Sequence, residues 1–172
     1  AFRDYFLKEG YFEFAPPVLQ PTQSEGGSTL FEVKYYKEKM YLAQTWQLYG
    51  EASVFSLEKT FCLSPTFRAE KSKTSRHLSE FIMAEMEAAW MDLKGLSDHT
   101  ENLLRFIVKR VLKERKEELK ILERDIEKLK KADAPFKRMT YSEVLELLEK
   151  KDGMKIKWGK DLRTIEEDNL SK

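Results

Sequence analysis

The rhythm of apolar and polar positions changes several times along this chain. Phe2, Tyr5 and Phe6 share one helical face and Gly10 supplies a stop, so a short helix opens the sequence. Tyr11-Phe12-Glu13-Phe14-Ala15 alternates as a strand does and is broken by Pro16-Pro17. Ser24-Glu25-Gly26-Gly27-Ser28 is flexible punctuation before Leu30 to Tyr36, whose mixed polarity fits a sheet strand, and Tyr41-Leu42-Ala43 is predicted to pair back on it as a hairpin. From Trp46 to about Leu57 the spacing is helical again, with Leu48, Ala52, Phe55 and Ser56 on neighbouring turns. Strand-like segments return at Thr60 to Glu70 and at Glu80 to Trp90, on either side of a basic loop, which predicts an antiparallel pair.

Beyond Leu93 the texture becomes that of a long charged helix, from about Ser97 to Lys131. Leu103, Leu104, Ile107, Val108, Val111 and Leu112 keep helical spacing and then thin out, so the first half is expected to pack and the second to project. Ala134-Pro135 ends it. Thr140 with Glu143 has the pattern of a capping box that opens a helix from Tyr141 to Lys150, and Thr164 with Glu167 repeats the pattern near the end of the chain. These elements describe an α+β fold, an antiparallel sheet flanked by helices, with no internal repeat.

With 172 residues and 41% apolar content the chain can bury a core of its own. Lys plus Arg at 31 nearly cancels Asp plus Glu at 30, so any anion site is local and not a property of the whole-molecule field. The single cysteine, Cys62, has no internal partner for a disulfide; its apolar neighbours Phe61 and Leu63 predict a buried strand position and a reducing, cytoplasmic setting. No run approaches the roughly 20 apolar residues that cross a bilayer, so no membrane is expected as a partner. Ala1 to Leu7 reads as mid-helix without a methionine or a cap, and the natural protein is expected to start earlier.

The densest chemistry lies between Phe67 and Phe81. Arg68 and Glu70 are two residues apart, and on a strand that spacing sends a guanidinium and a carboxylate from one face. Lys71, Lys73, Arg76 and His77 follow in the loop above them. Such a surface suits a small polyanion that also carries a hydrogen-bond donor, and ATP is the obvious candidate. Taken singly, Lys71, Lys73 and His77 read as solvated loop charges; as an ordered set they do not.

The run Phe67-Arg68-Ala69-Glu70 through His77 to Phe81 resembles the second motif of class II aminoacyl-tRNA synthetases of the aspartyl/asparaginyl subgroup, the asparaginyl enzymes most closely. Gly10-Tyr11-Phe12-Glu13-Phe14-Ala15-Pro16-Pro17 resembles the first motif, with Pro17 matching the family proline at the dimer interface. Trp158-Gly159-Lys160-Asp161-Leu162 also resembles a subgroup segment, read here as structural. The likeness runs from Phe2 to Leu170, so residues 1–172 are expected to be one partial class II catalytic domain.

The resemblance implies formation of an aminoacyl adenylate from ATP, with Arg68 as the catalytic cation that binds the α-phosphate and the substrate carboxylate, a task for a planar fork. Glu70 is placed to accept from the adenine amino group, Arg76 and His77 to hold the outer phosphates, and Phe81 to stack on adenine. Ser24-Glu25-Gly26-Gly27 resembles the family's mobile lid, where Glu25 takes the substrate ammonium; otherwise it is an ordinary Gly-rich turn. Gln44-Thr45-Trp46-Gln47-Leu48-Tyr49 resembles a Gln-Ser-x-Gln-Leu-Tyr segment, which carries Gln47 over as a contact to the amine; Trp46 departs from the small residue or proline usual there. Aspartyl enzymes place a lysine where this chain has Gly50. Glu85, on the same face as Phe81 if alternation holds, would accept from an amide NH2 and repel a second carboxylate, so asparagine fits better than aspartate. The alternative for Glu85 is a surface residue paired with a lysine.

A third motif, with a second ATP-binding arginine and the acidic ligands of Mg²⁺, is expected beyond Lys172, because Gly153 and Gly159 lack the closely spaced glycines and following arginine it requires. An anticodon-binding barrel is expected ahead of Phe2. The reading is therefore part of a homodimeric asparagine-tRNA ligase acting on ATP, asparagine and tRNA(Asn), inactive in isolation and holding no metal of its own. Two others stay open: a relative of ammonia-dependent asparagine synthetases or aspartyl-tRNA synthetases that uses aspartyl adenylate, and a non-catalytic dimerisation or regulatory domain.

Overall fold

The computed structural model describes residues 1–22, 24, 30–70 and 78–170, which divide into two compact units, Ala1–Asp133 and Ala134–Lys172. The first contains α1 (Phe2–Lys8), β1 (Phe12–Glu13), β2 (Leu19–Gln20), β3 (Glu32–Tyr35), β4 (Glu38–Leu42), α2 (Gln47–Leu57), β5 (Lys59–Phe67), β6 (Glu80–Ala88), α3 (Leu93–Glu114), α4 (Lys116–Ile121) and α5 (Ile126–Lys131). The second contains α6 (Tyr141–Asp152) and α7 (Thr164–Leu170).

Two small sheets form the first unit, one in the order β1-β5-β6 and one in the order β2-β4-β3. The predicted antiparallel pair is present as β5 and β6, in register from Lys59 opposite Ala88 to Phe67 opposite Glu80. β3 and β4 form the predicted hairpin. β1 keeps only two of the five residues expected to be a strand, and it runs parallel to β5. The prolines after Ala15 cannot extend the ladder, and the last bond runs from Phe14 N to Phe61 O at 2.8 Å.

Alternation along β5 and β6 divides their residues between two faces. On one, Phe61 lies in the aromatic core with Tyr5 and Phe6 from α1 and with Tyr11, and Phe2, Met86, Ala88, Leu103 and Phe106 pack around it. Phe6 stacks on Phe61 at 5.1 Å and meets Tyr11 edge-on at 5.0 Å. The other face presents Thr60, Cys62, Ser64 and Thr66, all buried, and α2 packs on it.

The single long helix predicted to Lys131 is instead three helices. α3 starts earlier than expected, where Asp92 caps it by accepting from Gly95 N at 2.7 Å, and it ends at Arg115. A turn at Leu122 to Arg124, with Glu123 at φ 49°, sends α5 back towards α3. There Arg105 and Lys109 reach Asp133 at 3.2 and 3.0 Å. The apolar stripe has thinned by this point, so nothing holds one straight axis, and Asp125 offers a competing cap to Glu127 N and Lys128 N. Leu119 is buried, so this half does not project.

In the second unit the capping box of Thr140 and Glu143 forms as predicted, and Gly153 ends α6 at φ 65°, left-handed backbone that favours glycine. At α7 the predicted partner shifts by one residue. Glu166, not Glu167, reaches back to Arg163 N at 2.9 Å, because its carboxylate also takes the Arg163 guanidinium. Trp158 packs edge-on to Tyr141 at 5.7 Å and donates to Ser142 Oγ at 3.2 Å, in keeping with a structural role. No helix among the described residues is long and apolar enough to cross a membrane.

Candidate active site

The polar face of β5 and β6 carries the candidate site. Their register sets Phe81 opposite Thr66, Glu85 opposite Cys62 and Glu87 opposite Thr60, and residues opposite one another share a face. Just past β5, Arg68 N donates to Ser79 O at 3.0 Å and holds the ribbon together for one more residue. The Arg68 guanidinium lies over the Phe81 ring, 5.8 Å from its centroid, so the cation and the aromatic surface expected to meet a nucleotide are neighbours. Glu70 stands exposed beyond them. Arg76, His77, Lys71 and Lys73 lie outside the described residues, as does Glu25.

Glu85 is half-buried and held from the segment ahead of α2. Thr45 Oγ1 donates to its Oε1, and Trp46 N donates to its Oε2 at 3.2 Å. A carboxylate met by a donor on each oxygen is fixed in direction. Gln47 N in turn donates to Thr45 Oγ1 at 3.1 Å, tying the first turn of α2 to the same hydroxyl. The Gln47 side chain is exposed and donates to Glu51 Oε1 at 2.9 Å. Gln44 and, on β2, Gln20 are buried as well, the latter donating to Pro17 O at 3.0 Å. Pro17 itself is exposed.

Trp46, the departure from the family pattern, is buried with its ring 5.6 Å from Phe14. Gly50 makes the room. A Cβ there would stand 2.7 Å from Glu87 Cγ and 3.4 Å from the Trp46 ring, so α2 approaches β6 as closely as it does because position 50 has no side chain. A lysine at this position would displace Glu87.

The electrostatics follow from burying acids together. The Glu87 carboxyl is pushed up from its ordinary value by burial and then by Glu51 and Glu85. Burial, with Glu85 and Glu13 adding to it, pushes the Cys62 thiol up to about 12, which makes it an inert wall of the site. Thr45, Glu51 and Glu87 were not among the expected site residues. Period-two spacing from Glu85 could have pointed to Glu87, and the hydroxyl position of the Gln-Ser-x-Gln-Leu-Tyr resemblance, which Thr45 fills, could have pointed to Thr45.

A family model for class II tRNA synthetases (D, K and N) matches residues 1–169. The chain belongs to this family. It is 47% identical over 167 residues to the asparagine–tRNA ligase of Pyrococcus abyssi, an alignment covering 97% of this chain and 38% of that protein. Among solved structures, the asparaginyl-tRNA synthetase of Pyrococcus horikoshii complexed with asparaginyl-adenylate superposes with a TM-score of 0.93 at 45% identity, covering 99% of this chain and 39% of that one. The Entamoeba histolytica asparaginyl-tRNA synthetase in complex with asparaginyl-adenylate gives 0.82 at 29% identity, covering 99% and 38%. This class II chain thus spans somewhat over a third of the length of the relatives it matches, and the α+β architecture is theirs.

Proposed function

We propose that this chain forms the ATP and amino-acid face of an asparagine–tRNA ligase, which activates asparagine to its adenylate and transfers it to tRNA(Asn). The observation that carries the choice of asparagine is Glu85, a carboxylate fixed by Thr45 and Trp46 on the face that also carries Arg68 and Phe81. An amide NH2 donates to it, whereas a substrate carboxylate meets a like charge. Sequence relatives named as asparagine–tRNA ligases support the same reading.

In the forward reaction the carboxylate of asparagine attacks the α-phosphorus of ATP, and the bond to pyrophosphate breaks. Charge grows on the α-phosphoryl oxygens, and in this reading the Arg68 guanidinium bridges them and the incoming carboxylate. Phe81 offers its ring to adenine, Glu70 accepts from the adenine amino group, and Arg76 and His77 hold the leaving phosphates. Gln47 and Glu25 take the substrate ammonium. Mg²⁺, which adenylate formation draws on to neutralise the outer phosphates, finds no set of three acidic, His or Cys ligands among the described residues, and no step assigned to these side chains passes through it. Pairing of two protomers at the exposed Pro17 and a cytoplasmic site of action belong to the same proposal.

Pyrophosphate exchange by the complete protein tests it. Exchange is expected with asparagine and not with aspartate, and it is expected to be lost in Arg68→Ala. Aspartate-dependent exchange would transfer the assignment to an aspartyl adenylate.

A further inference from the structure

Between the amine end and the amide end of the proposed substrate site, Thr45 has a position that no expected role explains. Its hydroxyl donates to Glu85 Oε1 and accepts from Gln47 N at 3.1 Å, while the next backbone amide, Trp46 N, closes on Glu85 Oε2 at 3.2 Å. One hydroxyl thereby joins the strand residue facing the amide to the helix residue assigned to the amine. Thr45 is buried, as are its neighbours Gln44 and Trp46, so this arrangement is sheltered from competing water. We infer that Thr45 is a positioning residue for amino-acid selection, which aims the Glu85 carboxylate at the substrate amide and sets its distance from the first turn of α2.

The inference rests on the reading of this face as an asparagine site. A carboxylate on a half-buried strand has rotamers open to it, and selection against aspartate needs a single one. A serine keeps both hydrogen bonds; a valine keeps the volume and loses both, leaving Glu85 Oε1 and Gln47 N without that partner.

The test compares wild type, Thr45→Val and Thr45→Ser in the complete protein by asparagine-dependent and aspartate-dependent pyrophosphate exchange. Thr45→Val is expected to raise KM for asparagine about tenfold or more, to narrow the preference over aspartate, and to leave KM for ATP unchanged; Thr45→Ser is expected to restore most of the asparagine affinity. A Thr45→Val enzyme with wild-type KM and preference overturns the inference, and so does equal weakening towards asparagine and ATP, which marks a general loss of structure. A second readout needs no turnover. The Glu85 carboxyl ¹³C signal, assigned by its disappearance in Glu85→Gln, is expected to move in Thr45→Val and not in Thr45→Ser. If wild type activates no asparagine, the proposed function fails on its own, and an unmoved carboxyl signal in Thr45→Val still overturns the positioning role.

Discussion

The two faces of the β5–β6 ribbon are built from alternate residues of the same strands, yet they are held in opposite ways. One face closes over aromatic rings, with Phe61 fully buried against Phe6. The other buries Thr60, Cys62, Ser64 and Thr66 and keeps Glu85 and Glu87 near them. Burying apolar area is favourable without direction, so the aromatic face needs only volume and shape. Burying polar groups is favourable only where each finds a partner, so the second face needs particular bonds, such as Ser53 Oγ to Thr60 Oγ1 at 2.9 Å and the two donors on Glu85. A site that must hold charge is placed on the face that a core already supports from behind.

The largest blow to this contrast is Phe61→Ala, which opens a cavity under the ribbon. It is expected to cost about 3–5 kcal/mol in urea unfolding, with catalysis falling only as far as folding does. A smaller loss would mean that the aromatic face is not what supports the site. Arg68→Ala works from the other side: exchange is expected to drop by about 10²–10³-fold with the unfolding midpoint unchanged. A shifted midpoint there would give Arg68 a structural part. Gly50→Ala tests the close approach of α2. Its Cβ must push Glu87 aside, and a loss of about 1–3 kcal/mol is expected, partly offset by alanine's better helix propensity; added stability would show the space to be open.

The finest test is pH, where the two faces carry opposite signs. On the aromatic side His99 sits 5.3 Å from the rings of Tyr5, Phe6 and Tyr11, its Nε2 without a hydrogen-bond partner among the described residues. Burial, with a smaller push from Lys59 against the pull of Glu9, holds its imidazole below the ordinary 6.5. The unfolded chain therefore takes up this proton first, and stability falls as pH drops below about 6.5. Glu87 is raised, so its folded form binds a proton at higher pH than the unfolded one. Its contribution is greatest below 4.5 and is lost as pH rises through the raised value. Urea midpoints across pH 4 to 8 should lose the first slope in His99→Leu and the second in Glu87→Gln. Identical profiles in wild type and both variants would remove either group from the pH response.

Much of this was legible beforehand. The β5–β6 pair, the β3–β4 hairpin, α2 and the Thr140 capping box all follow from local periodicity and caps, which act over a few residues. The common face of Phe81 and Glu85 follows from period two alone. What escaped has a different origin. The break of the long helix at Leu122 to Arg124 depends on a weak stripe yielding to the Asp125 cap, a balance of small terms that charge patterning does not rank. The shortened strand at Phe12–Glu13 depends on which neighbour it meets.

By itself, then, the sequence determined the alternating strands, the run of basic residues between them and the family to which those residues belong. Tertiary structure alone decided that Thr45 and Trp46 grip a carboxylate about forty residues away in sequence, that Gly50 is empty space required by Glu87, and that Cys62 is a wall and not a nucleophile. Periodicity is a property of neighbouring residues along the chain, whereas hydrogen-bond partners, close approach and desolvation depend on the groups that folding brings together.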